Sequence, residues 1–136
     1  MKIFYKTRAT AVGGRSGNTS LDDGSLSFDL AMPGTGKTGA NPEQLFALGY
    51  AACFDNALKH VAERMKLPLA SSQTSAEVGM GMTPEGGFKL DVDLYITLAG
   101  LDLASAEALL AKGHAVCPYS NALHGNVDVR LHLTVA

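Results

Sequence analysis

The stretch Asn41-Pro42-Glu43-Gln44-Leu45-Phe46-Ala47-Leu48-Gly49-Tyr50-Ala51-Ala52-Cys53-Phe54 decides the fold. Asn41 is a favourable N-cap, and Pro42 suits the first helical position. Gln44, three residues after Asn41, completes a capping box. Glu43 falls in the first turn, where the helix dipole favours a carboxylate. The pattern predicts a helix to about Lys66, ahead of Pro68. Its first half is apolar nearly all round, so it should be surrounded by protein. Gly49, Ala51 and Ala52 leave room for another element. The second half turns amphipathic, with Lys59, Glu63, Arg64 and Lys66 available for solvent. One helix so sheathed is hard to cover within 136 residues, which predicts a second subunit over part of it.

On the N-terminal side, residues 2–12 read as a strand closed by Gly13-Gly14. Residues 25–31 read as another, with Leu26, Phe28 and Leu30 on one face after an Asp22-Asp23-Gly24 turn. Pro33 to Gly39 is a loop. On the C-terminal side, Ala76, Val78, Met80 and Met82 alternate, and Pro84-Glu85-Gly86-Gly87 turns the chain. Phe88, Leu90, Val92, Leu94, Ile96 and Leu98 then alternate without a break, the mark of a half-buried strand. A second helix over about 102–116 groups Leu103, Ala106, Leu109, Leu110 and Gly113. Pro118 disfavours helical geometry at Cys117. A last strand spans 126–135, with Val127, Val129, Leu131, Leu133 and Val135 inward. This order reads as α+β with antiparallel sheet, without a βαβ succession. Residues 1–136 are expected to form a single domain.

Composition narrows the function classes. Hydrophobic residues make up 46% of the chain and the formal net charge is -2, so it should be globular, with no general attraction to nucleic acid. The start, Met1 to Lys6, carries charge where a signal peptide needs an apolar stretch. The uncharged helical run Leu45 to Phe54 is far shorter than the roughly 20 residues of a membrane span. The expected location is the cytoplasm, where lasting structural disulfides are rare but transient thiol chemistry occurs. Met32 to Thr38 nearly matches a phosphate-binding loop. However, Ala31 stands where the first glycine belongs, and Gly39-Ala40-Asn41 separates Lys37-Thr38 from the helix. The four histidines show no ligand spacing, so no metal and no cofactor is expected.

The chemistry is carried by two cysteines. Cys53 sits in the uncharged helix, and Cys117 sits at the helix stop Val116-Cys117-Pro118-Tyr119-Ser120-Asn121. Each could be a small core hydrophobe, the usual fate of a buried free thiol. The alternative is that each is half of a redox pair, if the fold brings them together. Their spacing excludes a CxxC motif or a zinc knuckle and says nothing about proximity. A reactive thiol needs a cation to become thiolate near neutral pH. Arg15, set in Gly13-Gly14-Arg15-Ser16-Gly17, serves no apolar pattern, and its guanidinium can fork onto a carboxylate such as Glu43. An exposed Arg15 and a Glu43 that only favours the helix start is the alternative. A Cys–His hydrolase stays open, although His114, three positions before Cys117, reads as a neighbour of that thiol more than a base for Cys53.

Gly13-Gly14-Arg15, Asn41 to Ala47, Gly49 to Phe54, Val116 to Asn121 and then Gly125-Asn126-Val127 together resemble the organic hydroperoxide resistance (Ohr) proteins of the OsmC/Ohr superfamily. The resemblance runs in order over nearly the whole chain. Leu48 and Leu123-His124 depart from the usual pattern without touching the candidate reacting groups.

The resemblance implies antiparallel sheets wrapped around long central helices in an intertwined homodimer, with active sites at the subunit interface. It implies a peroxidase for organic hydroperoxides, including those of fatty acids. Cys53 would be the peroxidatic cysteine, Cys117 the resolving cysteine, Arg15 the thiolate-stabilising cation and Glu43 its partner. The reductant would be a dihydrolipoyl group, on a lipoylated protein or as dihydrolipoamide. The residues themselves suggest that Leu45, Phe46, Tyr50 and Phe54 give the substrate an apolar surround. A redox-sensing or ligand-binding module without sustained turnover is the competing reading. A structural protein with two idle thiols is the third.

Overall fold

The computed structural model describes all of residues 1–136, which form two compact units, Met1–Leu45 and Phe46–Ala136. The first holds a three-stranded antiparallel meander in the order β1 (Ala9–Val12), β2 (Asn18–Leu21), β3 (Ser27–Asp29). The connection from β1 to β2 is a 3-10 turn over Gly14–Ser16. Gly13 (φ 83°) and Gly14 (φ 58°) both take left-handed backbone there, which glycine adopts without strain. Asp23 closes the next turn by accepting from the Ser25 amide and hydroxyl. The Pro33–Gly39 loop is pinned at its ends, where the Ala31 amide donates to the Ala40 carbonyl and the Ala40 amide to Asp29.

The expectation of a strand over residues 2–12 is corrected: only Ala9–Val12 pairs, and Ile3, Phe4 and Tyr5 are exposed. Hydropathy marks these residues as strand-like, but β2 offers partners only from Ala9 onward. The second strand is trimmed from 25–31 to Ser27–Asp29, with Leu26 exposed. The expectations made no allowance for β2, whose sequence Asn-Thr-Ser-Leu carries no apolar alternation.

Helix α1 runs Pro42–Arg64 and begins as expected. The Gln44 amide donates to Asn41 Oδ1 at 2.8 Å, and the Asn41 amide donates to Gln44 Oε1 at 3.0 Å. It ends two residues short of Lys66. That residue takes left-handed backbone (φ 55°), and the Leu67 amide reaches back to the Ala62 carbonyl at 2.9 Å, a Schellman-type stop. Tyr50, Phe54, Ala57, Leu58, Val61 and Ala62 are buried. The first half is less enclosed by its own chain than its composition suggests, with Leu48 66% exposed.

The second unit continues with β4 (Ser71–Met82), β5 (Phe88–Ala99), α2 (Leu103–Val116), α3 (Pro118–Leu123) and β6 (Val129–Val135). β5 is the central strand of the sheet β4-β5-β6. Val92, Leu94, Ile96 and Leu98 alternate inward from it, fully buried against α1 residues and α2 residues Ala106 and Leu109. Asp102 caps α2 by accepting from the Ser105 amide. Leu103, expected on the buried side of α2, is exposed. Met80, Met82 and Phe88, at the open end of the hairpin, are exposed too.

One expectation is overturned at the level of topology. β4 and β5 are antiparallel, but β5 and β6 are parallel, Val92 opposite Val129 through Leu98 opposite Val135. The helical segment after Ala99 carries the chain back before β6 begins, so β6 enters in the direction of β5, a strand–helix–strand crossover. The last strand starts at Val129 instead of 126. Pro118 ends α2, but it also starts α3 as its first residue, a short helix that reading the proline as a break had missed. The result is a mixed α+β fold of two small sheets and three α-helices. No helix is long and apolar enough to cross a membrane.

Candidate active site

Within the Phe46–Ala136 unit the two cysteines meet. The sulfurs of Cys53 and Cys117, 64 positions apart in sequence, lie 3.9 Å from each other, with the Cys117 thiol directed at Cys53. Local structure explains the placement. Cys53 lies on α1 one turn after the buried Tyr50 and next to the buried Phe54. Cys117 is at once the last cap of α2 and the first of α3, with extended backbone (φ −64°, ψ 124°) imposed by Pro118. Gly113 lets α2 close on α1, since a Cβ there would fall 2.8 Å from Leu58 Cδ2. Cys117 is fully buried, while Cys53 is half-buried, less enclosed than its helical context suggested. Both thiols are free.

The surroundings of Cys53 push its thiol up from the ordinary value. Burial is the largest cause and the neighbouring Cys117 adds to it, while the Tyr119 backbone N–H pulls the other way. The hydroxyl end of Tyr119 comes so close to Gly49 that a Cβ there would collide with the phenol oxygen. Its ring packs at 5.5 Å from both Phe46 and Tyr50. A chain of polar side chains runs beside the sulfurs. The Tyr50 hydroxyl and Ser120 Oγ are 2.6 Å apart, and Ser120 Oγ is 2.9 Å from His114 Nδ1. The phenol of Tyr50 is pushed up by burial first, with the charges of both sulfurs contributing. Burial, then His124, holds His114 below its usual range, toward the neutral imidazole.

Within the Met1–Leu45 unit, Arg15 and Glu43 form the fork anticipated from sequence. Arg15 Nη1 donates to Glu43 Oε2 at 2.8 Å and Nη2 to Oε1 at 2.5 Å. The Arg15 hydrogen bonds hold the Glu43 carboxyl below its ordinary range, and Glu43 raises the guanidinium in return. The Glu43 side chain is mostly covered, and that of Arg15 is about one-third exposed.

The residues expected around the substrate divide between two surroundings. Leu45 lines an apolar cavity of about 170 Å³ with Ala9, Leu21, Leu26 and Phe28. Tyr50 and Phe54 are fully buried, and Phe46 packs at the margin of their core. Sequence reasoning did not single out Ser120 or the Tyr119 amide. Ser120 is joined to residues 6 and 70 positions away, a pattern no local periodicity encodes.

Comparison with known proteins bears on this arrangement. Residues 34–132 match the family of OsmC-like proteins. The chain is 46% identical over 133 residues to the organic hydroperoxide resistance protein OhrB of Bacillus subtilis, covering 96% of this chain and 98% of that one. It is 47% identical over 137 residues to the organic hydroperoxide resistance protein of Xanthomonas axonopodis pv. citri, covering 97% and 96%. A crystal structure of an organic hydroperoxide resistance protein OsmC from Legionella pneumophila superposes with a TM-score of 0.94 at 52% identity. It covers 98% of this chain and 100% of that one. The chain belongs to the organic hydroperoxide resistance proteins of the OsmC-like family.

Proposed function

From that membership, we propose that the chain is a thiol peroxidase. It reduces organic hydroperoxides, those of fatty acids included, to alcohols without a cofactor. The observation that carries this reading is the 3.9 Å approach of Cys53 and Cys117 across 64 positions of sequence. In the first step the Cys53 thiolate attacks the terminal oxygen of ROOH. The O–O bond breaks, RO⁻ leaves and takes a proton to become ROH, and Cys53 becomes a sulfenic acid. In the second step Cys117 attacks that sulfur, forming the S–S bond and releasing water. In the third a dihydrolipoyl-type dithiol supplies two electrons and two protons by thiol exchange and reopens the disulfide.

Burial and Cys117 favour the thiol form of Cys53, so the first step needs a cation. Arg15 is assigned that role on its motif, with Glu43 as the carboxylate that orients it. Leu45, Phe46, Tyr50 and Phe54 are assigned to the apolar surround that favours a greasy R group. Residues 1–136 are taken as one domain, working as an intertwined homodimer in the cytoplasm. Exposed Phe4, Leu48, Met82 and Phe88 support the dimer, since together they leave much apolar surface for a second copy to cover.

The test is stopped-flow oxidation of the reduced protein by an organic hydroperoxide and by hydrogen peroxide, followed by mass mapping of sulfur. Expected are faster reaction with the organic substrate, a Cys53–Cys117 disulfide, and repeated turnover with dihydrolipoamide. Arg15→Ala should slow the first step at neutral pH. Stoichiometric oxidation with no turnover overturns the peroxidase, and light scattering of a monomer at micromolar concentration overturns the dimer.

A further inference from the structure

Cys117 is held near Cys53 at a joint that needs support from outside itself. Its backbone is extended, and Pro118 starts a new helix of only six residues. A helix that short has little stability of its own, so its place is set by what it touches. Two contacts tie it to α1. The Tyr119 ring packs against Phe46 and Tyr50 and approaches Gly49. Apolar packing of this kind is non-directional. The second contact is polar and directional. The Tyr50 hydroxyl lies 2.6 Å from Ser120 Oγ, which is also 2.9 Å from Nδ1 of His114, in the last turn of α2. Three helices therefore meet at one serine oxygen.

The place of these residues along their helices matters. Tyr50 precedes Cys53 by three residues on α1, and Ser120 follows Cys117 by three. Each lies about 4.5 Å along the axis from the cysteine of its own helix. The Cys117 amide donates to the Gly113 carbonyl, and its carbonyl accepts from the Asn121 amide, both at 2.9 Å. The Cys117 backbone is thus anchored in α2 and in α3. A displacement of Ser120 passes to Cys117 through the main chain, with no contact to its sulfur required. Tyr50 is fully buried and Ser120 nearly so, so no water stands ready to replace their bond if it is broken.

We propose that Ser120, through its bonds to Tyr50 and His114, is a positioning residue. It keeps Cys117 within striking range of Cys53 and so decides whether oxidised Cys53 is resolved or overoxidised. The inference rests on the resolving role given above to Cys117. In that step the S–S bond forms, the S–OH bond of Cys53 breaks, and the hydroxide leaves with the thiol proton as water. A second hydroperoxide competes for the same sulfenic acid. It transfers its terminal oxygen to that sulfur, which becomes sulfinic acid, and departs as ROH. The first rate is set by geometry alone, and the second rises with hydroperoxide concentration. Closure has only to bring the sulfurs from 3.9 Å to about 2.05 Å. A misplacement of about 1 Å can cost roughly 100-fold in such a reaction. Loss of the serine bonds, with the Tyr119 packing left in place, should cost about 10-fold.

The test follows both oxidation steps in one stopped-flow experiment, with reduced full-length protein and tert-butyl hydroperoxide. Sulfenic acid formation is the internal reference, and the quantity read is the ratio of the second rate to the first. In Ser120→Ala that ratio should fall about 10-fold, with the first rate near that of the wild type. Mass mapping should find sulfinic acid at Cys53 at about one-tenth of the hydroperoxide concentration that the wild type requires. Tyr50→Phe, judged by the ratio alone, should lower it by a similar factor, and it carries the test if Ser120→Ala fails to fold. The double variant should be no slower than Ser120→Ala, because both changes remove the same bond. A merely structural role would lower both rates together, or give effects that multiply in the double variant. Either result overturns the positioning role and leaves the peroxidase intact. An unchanged ratio in Ser120→Ala, or in Tyr50→Phe where that variant stands in, does the same. A wild-type protein that oxidises at Cys53 and never forms the disulfide removes the resolving step, and the positioning role with it.

Discussion

Joining Cys53 to Cys117 should make the oxidised protein markedly harder to unfold than the reduced one. The size of the effect follows from position. In the loop-closure model a cross-link spanning 64 positions removes about 4.3 kcal/mol of unfolded-chain entropy at 25 °C. Against this stands the cost of bringing the sulfurs from 3.9 Å to a bond of about 2.05 Å, a closure of roughly 1.9 Å. A change of one χ1 rotamer moves a cysteine sulfur by about 3 Å, so side-chain rotation can make the bond without moving a helix. Strain should therefore take only part of the gain, leaving about 3–4 kcal/mol. With roughly 2.1 cal/mol/K of unfolding entropy per residue over 136 residues, that is a rise in Tm of about 10–15 °C. The assay is paired thermal and denaturant unfolding of dithiol-reduced and hydroperoxide-oxidised protein at one protein concentration. Mass mapping must verify the bond, and Cys117→Ser serves as the control that shows no difference. If the oxidised sample carries the mapped disulfide and melts no higher than the reduced one, the geometry has been misread. Closure would then require breaking native packing around the joint of α2 and α3.

Three other expectations test the packing and electrostatics. Gly49→Ala should cost about 1 kcal/mol, because overpacking against the Tyr119 hydroxyl outweighs the gain in helix propensity. In a Tyr119→Phe background the same change should be neutral or stabilising, and equal cost in both backgrounds in a double-mutant cycle would show that the phenol is not what Gly49 accommodates. Lys66→Gly should stabilise by about 0.5–1 kcal/mol in urea titration, since φ 55° is strained for lysine and free for glycine; a loss of stability would mean the Lys66 side chain matters more than its backbone. Asp93, forked by Arg130 and bonded to His132, is held far below the ordinary carboxylate range, first by the Arg130 hydrogen bonds. A depressed carboxyl contributes stability that is present above its unfolded value and lost as pH falls from there through the folded one. Wild type should therefore lose stability below about pH 4 more steeply than Asp93→Asn, and parallel acid-unfolding curves would assign that loss to other groups.

What could be read from sequence was local. The Asn41–Gln44 capping box, the proline at Cys117 and the unbroken alternation of β5 each depend on neighbours within a few residues, and each is found where expected. The parallel pairing of β6 was illegible for a physical reason. Alternation of Val129, Leu131, Leu133 and Val135 says which side faces the core but not which way the strand runs, and direction is set by the helices that precede it. β2 carries no pattern because its four residues are all half-buried. Residues 2–8 read as strand from hydropathy, but the ladder begins at Ala9, with only the Arg8 carbonyl, accepting from the Asp22 amide, extending it outward. In the candidate site, spacing alone could not bring Cys53 to Cys117, and the resemblance supplied that expectation. Arg15 and Glu43 could be offered as a pair from the glycine turn and the first turn of α1, but the residues alone left an exposed Arg15 open, and the resemblance supplied that expectation too. Ser120 was not legible, because its significance lies wholly in what the fold sets beside it.

The asymmetry of the two sulfurs supplies the order of the proposed chemistry. A hydroperoxide must reach the first sulfur from outside, whereas the second sulfur only has to reach the first. Cys53 is half-buried on a helix face, and Cys117 is fully buried at the joint of two helices. If the roles were exchanged, the substrate would have to enter a closed core. The sulfenic acid formed there would then wait for a partner that solvent, and any stray thiol, could reach first. With Cys53 first, its sulfenic acid meets a thiol only 3.9 Å away that is itself fully buried. The burial that makes Cys117 a poor first nucleophile makes it a protected second one.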